Sequence, residues 1–474
     1  MSITFDNVET AENLPSYERG VLKALISELN RHAATNKRHR DWYEGNYHVQ
    51  PIGIAIPRGN SLYGVLDMTC GLPAKAVEAV QSRSVFEGFV FEGEQAEIQA
   101  LGMDDIVRDN RLLSEYPKAV TDQLVHGCVF ATVSATQNRE PRVRFHSAET
   151  ASAFYDGAEQ RISAGMAIID SERVNEDLTW RPTLINLYMP YSTWVIKRNG
   201  NNAPWVATEC KHCMARPMME ALVYDPDNHH PFGKSRITPQ IETAATEYVR
   251  CMQRLSIGAE MFTSPQKIMA NCPDEAFDMD KYAAYMTNFL LLGRDEEGET
   301  PSVSQLPAAS MEPHISVKES ILRDFARDAN IPLSELGLVQ ENKYYESREQ
   351  LIVDVENKLN APNRDSLREI ALMLLSIKFN KEPIDLPKAA YSVMPLFGDP
   401  AMPSMATQAD ANVKVASVRP NYARTREFLY SMGMDKAKVL RIEGEEQALD
   451  TETEALNNEK QALNAETLSN EEIS

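Results

Sequence analysis

"HHPFGKSRITPQIETAATEYVRCMQRLSIGAEMF" (His229–Phe262) carries two signals that lead to different proteins. Gly233-Lys234-Ser235 reads as the end of a phosphate-binding loop, whereas the run after Thr238 reads as a long amphipathic helix. A P-loop needs a glycine five residues before its G-K-S, so that successive N–H groups curl towards phosphate. Asn228 stands there instead, Pro231 removes a donor and Phe232 crowds the loop. The preceding "MMEALVYDPDN" (Met218–Asn228) would supply the strand, so it is the loop that argues for a turn into a helix. Thr238 suits the N-cap and Pro239 the first helical position, where its missing N–H costs nothing. Ile241, Ala245, Tyr248, Met252, Leu255, Ala259 and Phe262 then recur at alternating spacings of 4 and 3, with Glu242, Glu247, Arg250, Arg254 and Glu260 away from the seam. Standing alone, such a helix reads by default as a core helix of a globular domain.

Working outward, a second amphipathic helix starts near Ile315, places Ile321, Leu322, Phe325 and Ala329 on one face, and stops before Pro332. Between the two lie "TSPQKIMANCPDEAF" and "GRDEEGETPSVSQLPAASMEPH", around the helix-like "MDKYAAYMTNFLLL". Two helices running in opposite directions, with a small module at their far end, suit this order.

Before the opening stretch, a helix is expected from Tyr17 to Tyr43 with Val21, Leu22, Leu25 and Leu29 on one face. "WYEGNYHVQPIGIAIP" is a loop, and "SLYGVLDMTCGLPAKAVEAVQSRSVFEGFVF" reads as helix and then strand. "NRLLSEYPKAVTDQLVHGCVFATV" reads as helix, a break at Gly127, and strand. "PRVRFHS", "SAGMAIID", "TLINLYMP" and "YSTWVIKR" are half-buried strands of an antiparallel sheet. After the second amphipathic helix, "IPLSELGLVQENKYYES" reads as loop, followed by a long helix from about Tyr345 that breaks near "NAPN" (Asn360–Asn363) and resumes to Phe379. Further helices are expected over 408–417 and 422–432. From Glu443 the chain is acidic, and charged residues spoil the heptads of Leu449, Leu456 and Leu463, which favours a disordered tail.

The chain has 474 residues, 43% hydrophobic, enough for a sizeable core, and carries a net charge of −21. That balance argues against general adhesion to nucleic acid or to an anionic membrane. Six scattered cysteines read as reduced thiols of a cytosolic compartment. The N-terminus lacks the order of a signal peptide, and "IALMLLSI" (Ile370–Ile377) is too short for a membrane span, so a soluble protein is expected. Cys210 and Cys213 in "CKHC" are the one metal-like pair, yet structural zinc wants four ligands and no second CxxC exists. Two ordinary thiols at a turn in a sheet are the plainer reading. HExxH, G-x-S-x-G and the dinucleotide fingerprint are all missing. The residues therefore read as a helix-rich α+β protein without catalytic machinery or cofactor.

The order of these segments, from about Tyr17 to Glu443, resembles the portal proteins of tailed bacteriophages, in the compact siphophage-type group. "WYEGNYHV" resembles that family's early aromatic turn, "LVHGCVFATV" its way into the wing sheet, and "PFGKSRIT" its G-x-S-x-[IL] lead-in to the first stem helix. "MPLFGDPAMPSMATQADANVKV" and "FLYSMGMDKAKVLRIEGE" resemble its wing return and crown. "KYYES" departs from the small-residue run usual before the long helix.

The resemblance implies a wing over 1–236, stem helices over 237–263 and 311–330, and a clip over 264–310. It also implies a tunnel loop over 331–348, a long kinked helix with wing return over 349–403, a crown over 404–442 and an acidic tail over 443–474. The implied assembly is a ring, usually twelve-fold, at one capsid vertex of the virion, made in the host bacterial cytoplasm. Double-stranded DNA would pass through it. Its implied partners are further copies of itself, the terminase large subunit, the head–tail connector, the major capsid protein and scaffolding protein. Gly233 and Ser235 would form the stem lead-in, and the seam Ile241–Phe262 the stem contact. Lys318, Arg323, Arg327, Asn342, Lys343 and Tyr344 are the candidates for the DNA channel. Rival readings are another phage head or connector protein, a zinc-stabilised nucleic-acid-binding protein, and a P-loop ATPase.

Overall fold

In a computed structural model of the chain, the described residues are 2–3, 5, 7–50, 67–136, 138–173, 179–198, 200, 203–263, 267–270, 302–305, 310–338, 344–401, 405–419, 425–434, 438–439 and 441–442. They fall in two compact units, Met1–Pro400 and Ala401–Ser474.

Helix α1 (Ser16–Glu44) buries Leu22, Leu25, Leu29 and Asn36, the face set by its apolar spacing, and stops at Gly45, whose positive φ of 78° suits a helix C-terminus. The buried leucines rest on an antiparallel sheet of β5 (Ala151–Asp156), β6 (Arg161–Arg173), β7 (Thr179–Met189), β8 (Ser192–Arg198) and β9 (Trp205–Lys211), joined in that order. Strand β1 (Ser2–Ile3) lies parallel against β7. Alternation puts Ile185 and Leu187 of β7 and Trp194 and Ile196 of β8 beneath α1. Strands β5 and β9 were not expected from the sequence. Ala and Ser dilute the alternation in the first, and polar Glu209 and Lys211 close the second.

A second layer is built from α2 (Leu72–Gln81), the short α3 (Gln95–Leu101) and α4 (Met103–Asp109), and α5 (Leu112–His126). It also contains the sheet β10 (Met219–Val223)–β3 (Cys128–Ala135)–β4 (Pro141–Ser147). The first six residues of β3 are all buried, because helices cover it. Strand β2 (Phe86–Val90) pairs with β13 (Met394–Phe397), just after the short α10 (Lys388–Tyr391).

The long helix crosses this core. It runs as α8 (Tyr344–Asp354), a π-helical turn over Val355–Asn360, and α9 (Ala361–Phe379). The expected break at Asn360–Asn363 is therefore a widened turn, and the chain stays helical through it. Pro362 has no N–H to give to the helix, and the wider turn accommodates that loss. Asn363 Nδ2 donates to Tyr116 OH (2.9 Å) and Gln123 Oε1 (3.1 Å), and Gln123 Nε2 returns a bond to Asn363 Oδ1 (2.7 Å). Ser84 Oγ donates to Asn360 Oδ1 (2.7 Å). Residues Ile370–Ser376 are buried on every side, which explains an apolar run in a helix too short to cross a bilayer. No described helix is long and apolar enough to cross a membrane.

Helices α6 (Pro239–Thr263) and α7 (Glu312–Asp328) pack against each other. Ile241 and Ala245 share a core with Leu322, Phe325, Ala329 and Ile331, while Cys251 Sγ lies 3.5 Å from the His314 carbonyl. The start of one helix thus meets the end of the other, and the pair is antiparallel. Between them β11 (Lys267–Ala270) and β12 (Ser302–Gln305) form an antiparallel ladder. In the second unit α11 (Met405–Val418) contacts α12 (Arg426–Ser431), whose start is capped by Thr425 Oγ1 accepting from Phe428 N at 3.3 Å. The readings of residues 61–66 and of the acidic tail from Glu443 lie outside the described residues.

Candidate functional site

The opening stretch turns out to be a junction. Gly233 has φ +74°, and a Cβ there would stand 2.4 Å from the Tyr224 carbonyl oxygen and 2.6 Å from that of Gly127. Gly127, at φ +96°, ends α5, and a Cβ there would stand 3.1–3.2 Å from the Gly233–Lys234 backbone. Two chain segments therefore cross with no room for side chains. Tyr224 N donates to Gly127 O (2.9 Å), Lys234 N to Tyr224 O (2.8 Å) and Arg236 N to Leu124 O (2.8 Å).

The amide donors a P-loop would aim at phosphate are spent within the turn. His229 N and His230 N reach Asp227 Oδ1 at 2.8 and 2.7 Å, and Gly233 N reaches His230 O at 2.9 Å. The lysine is spent as well, since Lys234 Nζ lies 2.6 Å from Asp227 Oδ2. Bonds from Lys234, then from His230 and the two amides, hold the Asp227 carboxyl below the usual range. Ser235 Oγ donates to Val125 O (2.6 Å) and accepts from Ile237 N (3.0 Å), fastening the approach to α6 onto the end of α5.

Arg236 is the residue that sequence reasoning missed. It is 7% exposed, and its guanidinium donates to Tyr224 OH (2.9 Å), Ala76 O (3.3 Å) and Ala329 O. One side chain thereby links β10's end, α2, and the residue that closes α7. Burial raises the Tyr224 phenol's pKa, and the Arg236 charge opposes that shift. Nothing in "KSRIT" distinguishes this arginine from a surface one, because its three acceptors come from distant parts of the chain.

Along α6 the buried positions are Ile241, Glu242, Ala245, Val249, Cys251 and Gln253, so the inward line drifts from the heptad seam. Tyr248, Met252 and Leu255 are half-buried, Ala259 is exposed, and the Phe262 side chain lies outside the described residues. Glu242, expected away from the seam, is buried against Arg38 of α1, which neutralises it. The drift has a physical cause: α6 packs on α2 and on Tyr47–Val49 as well as on α7, so its covered face is wider than a two-helix seam. Trp42 stacks on Tyr47 with ring centres 4.0 Å apart, holding the early aromatic turn against Val249.

The candidate channel cations on α7 are not bare. Lys318 Nζ sits 5.7 Å from the centre of the Tyr248 ring. Arg323 pairs with Glu319 at 3.1 Å, and Arg327 with Asp324 and Asp328, both at 3.2 Å. Tyr344 is the first residue of α8, while Asn342 and Lys343 lie outside the described residues. Cys210 is in β9 and exposed, Cys213 is half-buried in the following turn, and burial raises the Cys213 thiol's pKa. Among the described residues no three His, Cys, Asp or Glu side chains are grouped to hold a metal ion.

Fold and junction together define a mixed α/β protein in which an antiparallel helix pair springs from a two-layer body through one close backbone crossing. Such a chain is similar, from end to end, to the portal proteins of tailed phages. The portal protein of Mycobacterium phage D29 is 23% identical over 462 residues, covering 92% of this chain and 90% of that protein. The portal protein of Mycobacterium phage L5 is 22% identical over 477 residues, covering 95% and 92%. A solved structure titled "Neck of empty GTA particle computed with C6 symmetry" aligns with 82% of this chain and 97% of its own, at 11% identity and a TM-score of 0.41. No family model matches the chain.

Proposed function

We propose that this chain is a portal subunit, assembling as a ring, twelve-fold in the capsid, at one vertex of a tailed-phage head. The observation that carries this reading is collinearity with two portal proteins over more than nine-tenths of the chain. The antiparallel helix pair supports it, since a conduit needs a stiff wall and α6 is anchored to the body at its first turn. In this reading 237–263 and 311–330 are the stem, 264–310 the clip and 331–348 the tunnel loop, with wing, kinked helix and crown as read from the sequence.

Double-stranded DNA passes through the axis, driven by a terminase, and leaves through the head–tail connector. Capsid and scaffolding proteins surround the ring. Nucleotide hydrolysis would belong to the terminase, since the donors of this chain's P-loop-like turn are engaged by its own backbone and by Asp227. A conduit should slide on its cargo. Arginines on α7 that are each paired with a carboxylate give phosphate only weak, salt-sensitive contacts.

Electron microscopy of the purified protein, with sedimentation of the same sample, tests the proposal. Rings with an open axial channel are expected. A monomer that stays monomeric when capsid and scaffolding proteins are added would sink it.

A further inference from the structure

A cleft of about 1000 Å³ opens on the first unit. Its rim is formed by the β5–β6 turn, the approach to β10, the Pro226–Phe232 loop and the first turns of α9. Its size is at the upper end of the roughly 300–1,000 Å³ of ligand pockets. Part of the wall is apolar, from Tyr155, Phe232, Pro231 and Pro362, and Tyr155 and Phe232 meet edge-on with centres 6.0 Å apart.

The rest of the lining is strongly one-signed. Glu159, Glu220, Asp227, Asp365, Glu369 and Glu382 face it, against only Arg161 and Arg216. Asp227 is answered by Lys234 and Glu159 by Arg161 at 3.5 Å. At the back of the cleft one guanidinium serves two acids: Arg216 lies 2.5 Å from Glu369 and 3.6 Å from Glu220. Six carboxylates thus meet three cations: among the described ion pairs Asp365 and Glu382 have none, and Glu220, 16% exposed and reaching the cleft from β10, shares one guanidinium with Glu369.

The geometry points to this cleft as the docking site for an arginine-bearing extended segment of a partner protein, whose guanidinium completes the Glu220–Glu369 pair that now shares Arg216. A guanidinium fits better than a point charge, because its planar fork engages two carboxylates while its flat face stacks on aromatic faces. A metal ion fits worse, since no three of these acids are grouped to hold one. An anionic polymer is excluded by the sign of the lining.

Burial raises the Glu220 carboxyl's pKa to about 7, against the pull of Arg216 and, more weakly, Arg161, with Glu369 adding to the rise. Binding is therefore expected to strengthen as pH rises from 6 to 8.

The test is fluorescence anisotropy on the full chain with a dye-labelled Gly-Arg-Gly-Arg-Gly peptide, and a glutamate counterpart as control. The arginine peptide should bind, and Glu220→Gln with Glu369→Gln should weaken it at least tenfold and remove its rise between pH 6 and 8. Asp365→Asn with Glu382→Gln, exposed and half-buried changes that leave the Glu220–Glu369 pair intact, should weaken it by a smaller factor. Neutralising Asp105 and Glu115, which lie outside the cleft, should leave it unchanged. Equal losses in all three variants would reduce the effect to net charge and overturn the proposal. Binding by dispersed subunits but not by assembled rings would assign the cleft to a neighbouring copy, and that too would overturn it.

Discussion

Gly233 and Arg236 stand three residues apart and fail for different reasons when changed. At Gly233 an added Cβ meets two backbone carbonyls that no rotamer can move, at a φ that L side chains avoid. Gly233→Ala is expected to lower the free energy of unfolding by more than about 2 kcal/mol, measured as a shift of the urea midpoint. Arg236→Met keeps the volume but removes three hydrogen bonds from a buried site, a loss of about 2–4 kcal/mol. Arg236→Lys should recover little of it, because one ammonium cannot span Tyr224, Ala76 and Ala329. Full recovery by lysine would show that charge alone matters there.

Acid stability is set by a few buried groups of opposite tendency. Burial, then the neighbouring Arg40 and His39, depresses His126 to about 3, and burial with Arg144 depresses His146 to about 4. Both stay neutral in the fold while the unfolded chain takes up protons below about 6.5, so their contribution is whole above that pH and lost as pH falls. Each costs about 1.4 kcal/mol per pH unit across its window. Glu220 works the other way: its carboxyl is raised to about 7, and between 7 and 4.5 the folded state gains from holding the proton. Two histidines against one glutamate predict falling stability from pH 6.5 to 4.5, and a steeper fall in Glu220→Gln. A flat urea midpoint across that range would contradict the assignment.

At the scale of elements, most of the long helices and several strands can be read from local pattern, because each needs only its own periodicity. The first helix, the α5–Gly127–β3 passage and α7 are of this kind. What pattern cannot carry is pairing over distance. The Val249 line on α6 replaces the expected Met252 and Leu255 because α2 and the aromatic turn, more than 150 residues upstream, widen the covered face. Glu242 looks like a surface acid until Arg38 is placed beside it. The π-helical turn is visible in sequence only as a proline between two asparagines; its meaning lies in Tyr116, Gln123 and Ser84. Asn363→Leu is expected to cost about 2–4 kcal/mol, since it strands the buried Gln123 amide. Gln123→Leu in the same chain should recover part of that loss, read from a double-mutant cycle in urea. Strict additivity of the two changes would mean that the network is not shared.

For the whole molecule, the subunit alone leaves part of its helix pair uncovered. Ile315 and Val317 near the start of α7 are 49% and 50% exposed, while Leu322, Phe325 and Ala329 further along are buried against α6. Scattered surface apolar residues need no explanation, but two β-branched residues on an exposed helical turn are poor helix formers that contribute little to the subunit. The proposed ring would give them a role, because every copy would then have a neighbour against its helix pair. Ile315→Asp with Val317→Asp should leave the urea midpoint of the dispersed subunit within about 0.5 kcal/mol of the parent, as exposed changes do. The same pair should abolish rings in electron micrographs, since two carboxylates per subunit would be buried without partners at every interface. Phe325→Ala, inside the subunit and fully buried, should show the reverse pattern, losing about 3–5 kcal/mol of subunit stability. Rings that form normally from the double aspartate variant would place the neighbour elsewhere on the chain.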